Sequence, residues 1–195
     1  MKRALIVFAK EPTRGRVKTR LTPYLSERRC LQLYKELLQD TVNVARKIQC
    51  SRKIVAYDAL DSKTPFLKTI ASDFELYRQR GKDLGAKMSD AFTAFIKNGA
   101  KVVIIGSDLP RLPPRYINRA FRELSKNDVV LGPAYDGGYY LIGLKQPCAK
   151  MFEGIHWSSG SVFDDTLKKA RRFKKKAAIL DFWYDIDTPE DLKYL

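Results

Sequence analysis

The sequence predicts an α/β fold whose sheet is mostly parallel and covered by helices on both faces. Two observations lead there. Short runs rich in Val, Ile and aromatic residues, bounded by polar, Gly or Pro residues, recur at Ala4–Ala9, Lys53–Tyr57, Phe74–Tyr77, Val102–Gly106 and Val129–Gly132. Longer segments between them carry their apolar residues on one helical face. A chain of 195 residues that is 45% hydrophobic supports a packed core, and one domain over 1–195 is expected.

In chain order, the first strand predicted is Ala4-Leu5-Ile6-Val7-Phe8-Ala9. A helix opens at Ser26-Glu27 and spaces Leu31, Tyr34, Leu37, Leu38, Val42 and Ala45 along one face. Another follows Asp83, with Leu84, Met88, Ala91, Phe92 and Phe95. Pro113 or Pro114 starts a third at its first turn, carrying Ile117, Ala120, Phe121 and Leu124. The run Lys168–Lys176 holds seven cations in nine residues and reads as the solvated end of a helix. Thr188 and Pro189 read as the cap and first position of a last helical turn, with Glu190 and Asp191 favouring its dipole.

The net charge is +15, which favours polyanionic partners such as nucleotides, nucleic acid or phosphorylated metabolites without choosing among them. No RRM, KH, helix-turn-helix or zinc-finger pattern is present, and the aromatics fall within apolar runs, so a specific nucleic-acid reader is not expected. A basic module binding nucleic acid by charge alone remains the rival from another class. Cys30, Cys50 and Cys148 form no CxxC pair or zinc spacing and read as small buried hydrophobes in a reducing cytosol. The apolar run near the N-terminus is too short for a secretory signal or a membrane span. A cytoplasmic location is expected, and no pattern specifies an oligomer.

Three segments carry chemistry. The first is AKEPTRGRVKTRL, residues 9–21, in which five of thirteen side chains are basic. It follows a core strand, and in sheets of this type ligands lie outside the carboxyl ends of the strands. Gly15 permits close backbone approach, while Lys10, Arg14, Arg16, Lys18 and Arg20 supply phosphate contacts. The loop is neither GxxxxGK[ST] nor GxGxxG. The second is Gly106-Ser107-Asp108-Leu109-Pro110, where an acid at the end of a central strand can reach Mg²⁺ or Mn²⁺; as a plain turn former, Asp108 also suits the position before Pro110. The third comprises Gly132–Gly143, a hairpin with an Asp136-Gly137 turn, and Asp185-Ile186-Asp187. The C-terminal cap leaves Asp185 and Asp187 unexplained; in a strand they share one face and need cations nearby to stay charged. His156, the only histidine, has no visible partner and reads as a loop residue rather than a base.

AKEPTRGRVKTRL, QRGKDLGAKM, GSDLPRL, GPAYDGGYYLIGL and DIDTPEDL, in this order, resemble the glycosyltransferase-A-like nucleotide-diphospho-sugar transferases of bacteria and archaea. More distantly they are similar to phospholactate guanylyltransferase and the molybdopterin nucleotidyltransferases. The resemblance covers nearly the whole chain. It implies one Rossmann-like α/β/α sandwich binding a nucleotide or nucleotide-sugar, with a small-molecule acceptor and Mg²⁺ or Mn²⁺. It implies that Ala9, Lys10, Gly15, Arg16, Lys18, Arg20, Gln79, Gly85 and Ser107 lie along the nucleotide. Asp108 and Asp187 match metal-binding acids. Asp136, Gly137, Gly138 and Tyr139 match the segment near the second substrate. Lys18 and Arg20 would stabilise departing phosphates, and Asp136 would serve as base in glycosyl transfer. Glycosyltransferases of this fold often carry DxD, whereas this chain has Ser107-Asp108-Leu109-Pro110. A lone Asp with a remote partner is closer to nucleotidyl transfer, in which a phosphate oxygen attacks the α-phosphorus of a triphosphate.

Overall fold

A computed structural model describes residues 2–60, 63–157 and 159–195. Seven strands form one sheet in the order β3-β2-β1-β4-β6-β5-β7. They are β1 (Arg3–Lys10), β2 (Arg52–Asp58), β3 (Glu75–Arg78), β4 (Lys101–Ile105), β5 (Val129–Pro133), β6 (Tyr139–Leu144) and β7 (Ala177–Ile179). The first four pair in parallel, β7 runs parallel to β5, and β6 alone lies antiparallel between β4 and β5. The five expected strands are all present. The Asp136-Gly137 turn makes the expected hairpin, but β6 inserts beside β4, a pairing that no local pattern announces.

Side chains of successive strand residues face opposite sides of the sheet. Leu5, Val7, Val55, Val103 and Ile105 therefore pack on one side with α1 (Glu27–Arg46), α2 (Pro65–Ile70) and α4 (Pro114–Glu123). Ala4, Ile6, Ile54, Ala56, Val102 and Ile104 pack on the other with α3 (Leu84–Phe95) and α5 (Val162–Arg172). The result is the predicted α/β/α sandwich. The Ser26 hydroxyl accepts from the Arg29 N–H at 3.4 Å and the Asp83 carboxylate from the Ala86 N–H at 2.8 Å, so both helices start where their caps lie. The basic run at 168–176 spans the last turn of α5 and its exit, with Lys174 at φ 53°.

A small third cluster matters most for the site. Leu21, Cys30, Leu37 and Ile186 are buried together, which pins the basic loop and the C-terminal segment against α1. Residues 184–187 are not a strand, contrary to the expectation for Asp185 and Asp187. The segment is anchored instead by the Ile186 N–H donating to the Asp108 carbonyl at 3.2 Å and by the Ile186 side chain, which is fully buried. The Asp191 carboxylate accepts from the N–H groups of Asp187 and Thr188 at 3.0 and 2.7 Å, which supports the expected cap. Of the cysteines, Cys30 is buried while Cys50 and Cys148 are half-exposed, so only one behaves as the expected core residue. No helix among the described residues is long and apolar enough to cross a membrane.

Replacing Ile186 by Ala removes the anchor of the C-terminal acids. Urea unfolding should show a loss of about 2–4 kcal/mol, the usual range for truncating a buried aliphatic side chain.

Candidate active site

The carboxyl ends of β1, β2, β3 and β4 frame a cavity of about 460 Å³. Ala9 and Lys10 reach it from β1, Asp58 from β2, Gln79 from just beyond β3, and Gly106, Ser107 and Asp108 from just beyond β4. Leu84 and Lys87 enter from the first turn of α3, and Lys18 and Asp187 close the far side. The Gln79 amide donates to the carbonyls of Ala56 and Ala9 at 2.8 and 3.3 Å, tying three strand ends together. Buried Tyr34 of α1 accepts from the Lys10 N–H at 2.8 Å and sits 3.1 Å from the Ser107 hydroxyl. Burial pushes its phenol up to about 12, so it stays a neutral positioning group. Lys87 pairs with Asp58 at 2.7 Å.

Lys18 is the centre of the cleft. Its backbone is left-handed at φ 52°, and its side chain is only 3% exposed. The ammonium contacts Asp108 Oδ2 at 2.5 Å and Asp187 Oδ1 at 3.3 Å. Burial by itself would favour loss of the proton, but the two carboxylates outweigh it and hold the ammonium well above the ordinary lysine range. Arg20 reaches Asp187 Oδ2 at 2.8 Å from a half-exposed position, where such a pair contributes little.

A second cavity of about 280 Å³ adjoins the first, sharing Leu84 and Asp187 as walls. Arg20, Asp136, Gly138, Tyr139, Trp157 and Asp185 face it. The Asp136 carboxylate accepts from the Gly138 N–H at 2.8 Å, which fixes the hairpin turn. Gly137 has φ +85°, and a Cβ there would collide with the Gly160 backbone. Its carbonyl accepts from the Phe163 N–H at 2.9 Å, locking the turn to the start of α5. Burial pushes Asp185 up to about 7, with the Asp108, Asp136 and Asp187 carboxylates adding repulsion.

The structure thus brings Ala9, Lys10, Lys18, Arg20, Gln79, Ser107, Asp108, Asp136, Gly138, Tyr139 and Asp187 to two contiguous cavities. It does not bring Gly15, Arg16, Gly85 or Gly137 to the lining of either. Gly15 and Arg16 are exposed, with Arg16 at a shallow surface recess. Gly85 packs so closely against the Trp157 ring that a Cβ would overlap it, and it faces a separate cavity on the flank of α3. The lack of a side chain at Gly85 lets α3 pack against the Trp157 ring. His156 is exposed and lines neither cavity. Tyr34, Asp58, Lys87 and Trp157 line or brace the site without having been singled out. Lys87, three residues beyond Leu84, was legible as the polar neighbour of an apolar face; Tyr34 was indistinguishable from core.

Asp108 and Asp187 are hard oxygen donors of the type that Mg²⁺ and Mn²⁺ take. In this structure they are spanned by an ammonium, and among the described residues no group of three or more His, Cys, Asp or Glu side chains is gathered to hold a metal ion. The donor chemistry fits a divalent ion; the arrangement puts Lys18 between the donors.

An α/β/α sandwich with a cleft at its strand ends is the class of fold that the chain adopts. More narrowly, a family model described as "Uncharacterized protein conserved in bacteria (DUF2064)" matches residues 41–159, more than half of the chain, and the chain belongs to that family. A crystal structure from Desulfovibrio desulfuricans G20, of a protein provisionally named a nucleotide-diphospho-sugar transferase, superposes with a TM-score of 0.89. It is 32% identical, with 96% of this chain and 84% of that one covered. The 2-phospho-L-lactate guanylyltransferase of Methanocaldococcus vulcanius is 28% identical over 90% of this chain and 77% of its own. A Mycobacterium tuberculosis H37Rv protein solved with manganese shares the fold, with a TM-score of 0.62 and 15% identity over 100% of this chain and 98% of that one.

Asp185 holds a proton more tightly folded than unfolded, so the folded state binds the extra proton between about pH 4 and pH 7. Stability from this group is therefore present at acid pH and lost as pH rises through about 7. Asp185→Asn should leave thermal stability near pH 4 almost unchanged in metal-free buffer. At pH 8 it should raise stability by on the order of 2 kcal/mol.

Proposed function

We propose that this protein is a divalent-metal-dependent nucleotide-diphospho-sugar transferase. All of the described residues would serve one nucleotide-binding transferase unit. The observation that carries the reading is the pairing of a lysine-rich cleft at the strand ends with a second cavity that shares its wall. A diphosphate in the larger cavity would meet Lys10, Lys18 and Lys87, whose charge offsets that of the phosphates. Gln79 and Ser107 would lie along the nucleotide. Asp108 and Asp187 would hold Mg²⁺ or Mn²⁺, which supplies charge neutralisation at the phosphate oxygens. Lys18 would then turn from the carboxylates to the phosphates.

In this mechanism the acceptor occupies the smaller cavity, held by Gly138, Tyr139 and Asp136. Its hydroxyl oxygen forms a bond to the anomeric carbon of the donor. The bond from that carbon to the phosphate oxygen breaks, and its electron pair leaves with the nucleoside diphosphate. Asp136 takes the acceptor proton. Lys18 and Arg20 stabilise the departing phosphates. Positioning and charge compensation supply most of the rate in such a scheme.

A second reading is nucleotidyl transfer from a triphosphate to a phosphorylated small molecule. The similarity to a guanylyltransferase and the lone Asp108 in place of a DxD favour it. The basic run at 168–176 takes no part in either reading. Val162 opens α5 beside the second cavity, and a helix of that length carries its last turn about 15 Å away. The free cysteines support a reducing, cytoplasmic setting.

A thermal-shift panel of nucleoside triphosphates and nucleotide-sugars, with and without Mg²⁺ or Mn²⁺, separates the readings. Saturating a true ligand at a hundredfold over its dissociation constant adds about 2.7 kcal/mol of stability. A metal-dependent shift confined to one nucleotide-sugar and its diphosphate is expected; a shift with one triphosphate alone would instead mean nucleotidyl transfer. Asp108→Asn should abolish metal-dependent nucleotide binding by isothermal titration while its circular dichroism stays unchanged. Unaltered affinity in that variant would overturn the metal assignment.

A further inference from the structure

We infer that the smaller cavity accepts an uncharged, polyhydroxylated acceptor, a sugar or polyol, in preference to a phosphorylated one. The inference rests on reading the larger cavity as the nucleotide site and names the acceptor class of the adjoining one.

The two cavities differ in their balance of charge. The larger cavity is balanced, with Lys10, Lys18 and Lys87 facing Asp58, Asp108 and Asp187. The smaller one receives three acidic side chains, Asp136, Asp185 and Asp187, against a single cation, Arg20. That cation is already committed to Asp187 at 2.8 Å. Asp187 also contacts Lys18, whereas neither Asp136 nor Asp185 forms an ion pair among the described residues. A phosphate brought here would meet the unpaired Asp136 and no cation free of a carboxylate partner, a juxtaposition that selects against anions. Hydroxyl groups, by contrast, donate readily to carboxylate oxygens.

The rest of the lining suits the same class. Trp157 and Tyr139 add apolar area to the lining, and Ser159 adds a hydroxyl. Apolar faces combined with a few convergent polar groups are the usual composition of small-molecule sites. The volume of about 280 Å³ limits the occupant to roughly one sugar ring at a time. Tyr135 and Phe182 continue the aromatic surface outside it, 66% and 51% exposed, with ring centroids 5.3 Å apart. Tyr135 directly precedes Asp136 in the chain, so this surface begins at the turn that carries the acid.

The test is saturation-transfer NMR on the full chain, with and without a nucleoside diphosphate and Mg²⁺. The probes are glucose, mannose, ribose and myo-inositol, each against its monophosphate ester, with glucosamine as a cationic control. At least one uncharged probe should bind about tenfold or more tightly than its phosphate ester, a difference of about 1.4 kcal/mol. Trp157→Phe should weaken that probe without changing nucleotide affinity, and Asp136→Lys should narrow or reverse the preference. Equal or tighter binding of a phosphate ester, binding of glucosamine about tenfold tighter than glucose, or no transfer to any uncharged probe would each overturn the inference. Nucleotide affinity is measured in parallel by calorimetry. A sugar preference without nucleotide binding would sink the nucleotide reading alone, and nucleotide binding with a phosphate preference would sink this inference alone.

Discussion

The site depends on one buried cation. Lys18 brings an ammonium to the interior, where an unpaired charge is costly, and only the Asp108 and Asp187 carboxylates make that burial tolerable. Those three residues come from the loop after β1, the loop after β4 and the C-terminal segment. The triad therefore joins three pieces of chain that are remote in sequence, at the edge of the sheet where ligands of this fold bind. The small cluster of Leu21, Cys30, Leu37 and Ile186 provides the apolar support beneath it, since Leu21 follows Arg20 and Ile186 separates Asp185 from Asp187. Without that support, the acids would have no fixed distance from the lysine.

The same triad explains how a basic protein can keep an acidic pocket. Asp108 and Asp187 are paired with cations, whereas Asp185 is perturbed by burial and Asp136, among the described residues, bonds only to the Gly138 N–H. Pairing draws cations to the larger cavity and leaves the smaller one with uncompensated acids. Charge is therefore distributed by contact rather than by composition, and the net charge of +15 says little about either cavity.

Much of this fold was legible because it is written in local patterns. Ala4–Ala9 and Val102–Gly106 are continuous apolar runs, as strands buried on both faces must be, and Ser26 and Asp83 mark helix starts by side-chain hydrogen bonds available within three residues. The missed elements lacked such signals. The strand β7 is three residues, Ala177-Ala178-Ile179, and α2 is six, both too short for a period to register. Glycine suits backbone approach and close packing equally, so the contact of Gly85 with the Trp157 ring could not be read from the sequence.

By itself the sequence determined five of the strands and the main helices, that a basic loop follows the first strand, and that Asp108, Asp136 and Asp187 are the acids worth watching. Hydrophobic period, cap chemistry and charge type are properties of neighbouring residues, so they can be read along the chain. Only the tertiary structure decided that β6 enters the sheet between β4 and β5, that Lys18 stands between Asp108 and Asp187, and that Arg16 turns to solvent while Lys87 turns inward. These are outcomes of strand order and of which side chains share the cost of burial, and both are set by contacts between residues far apart in sequence.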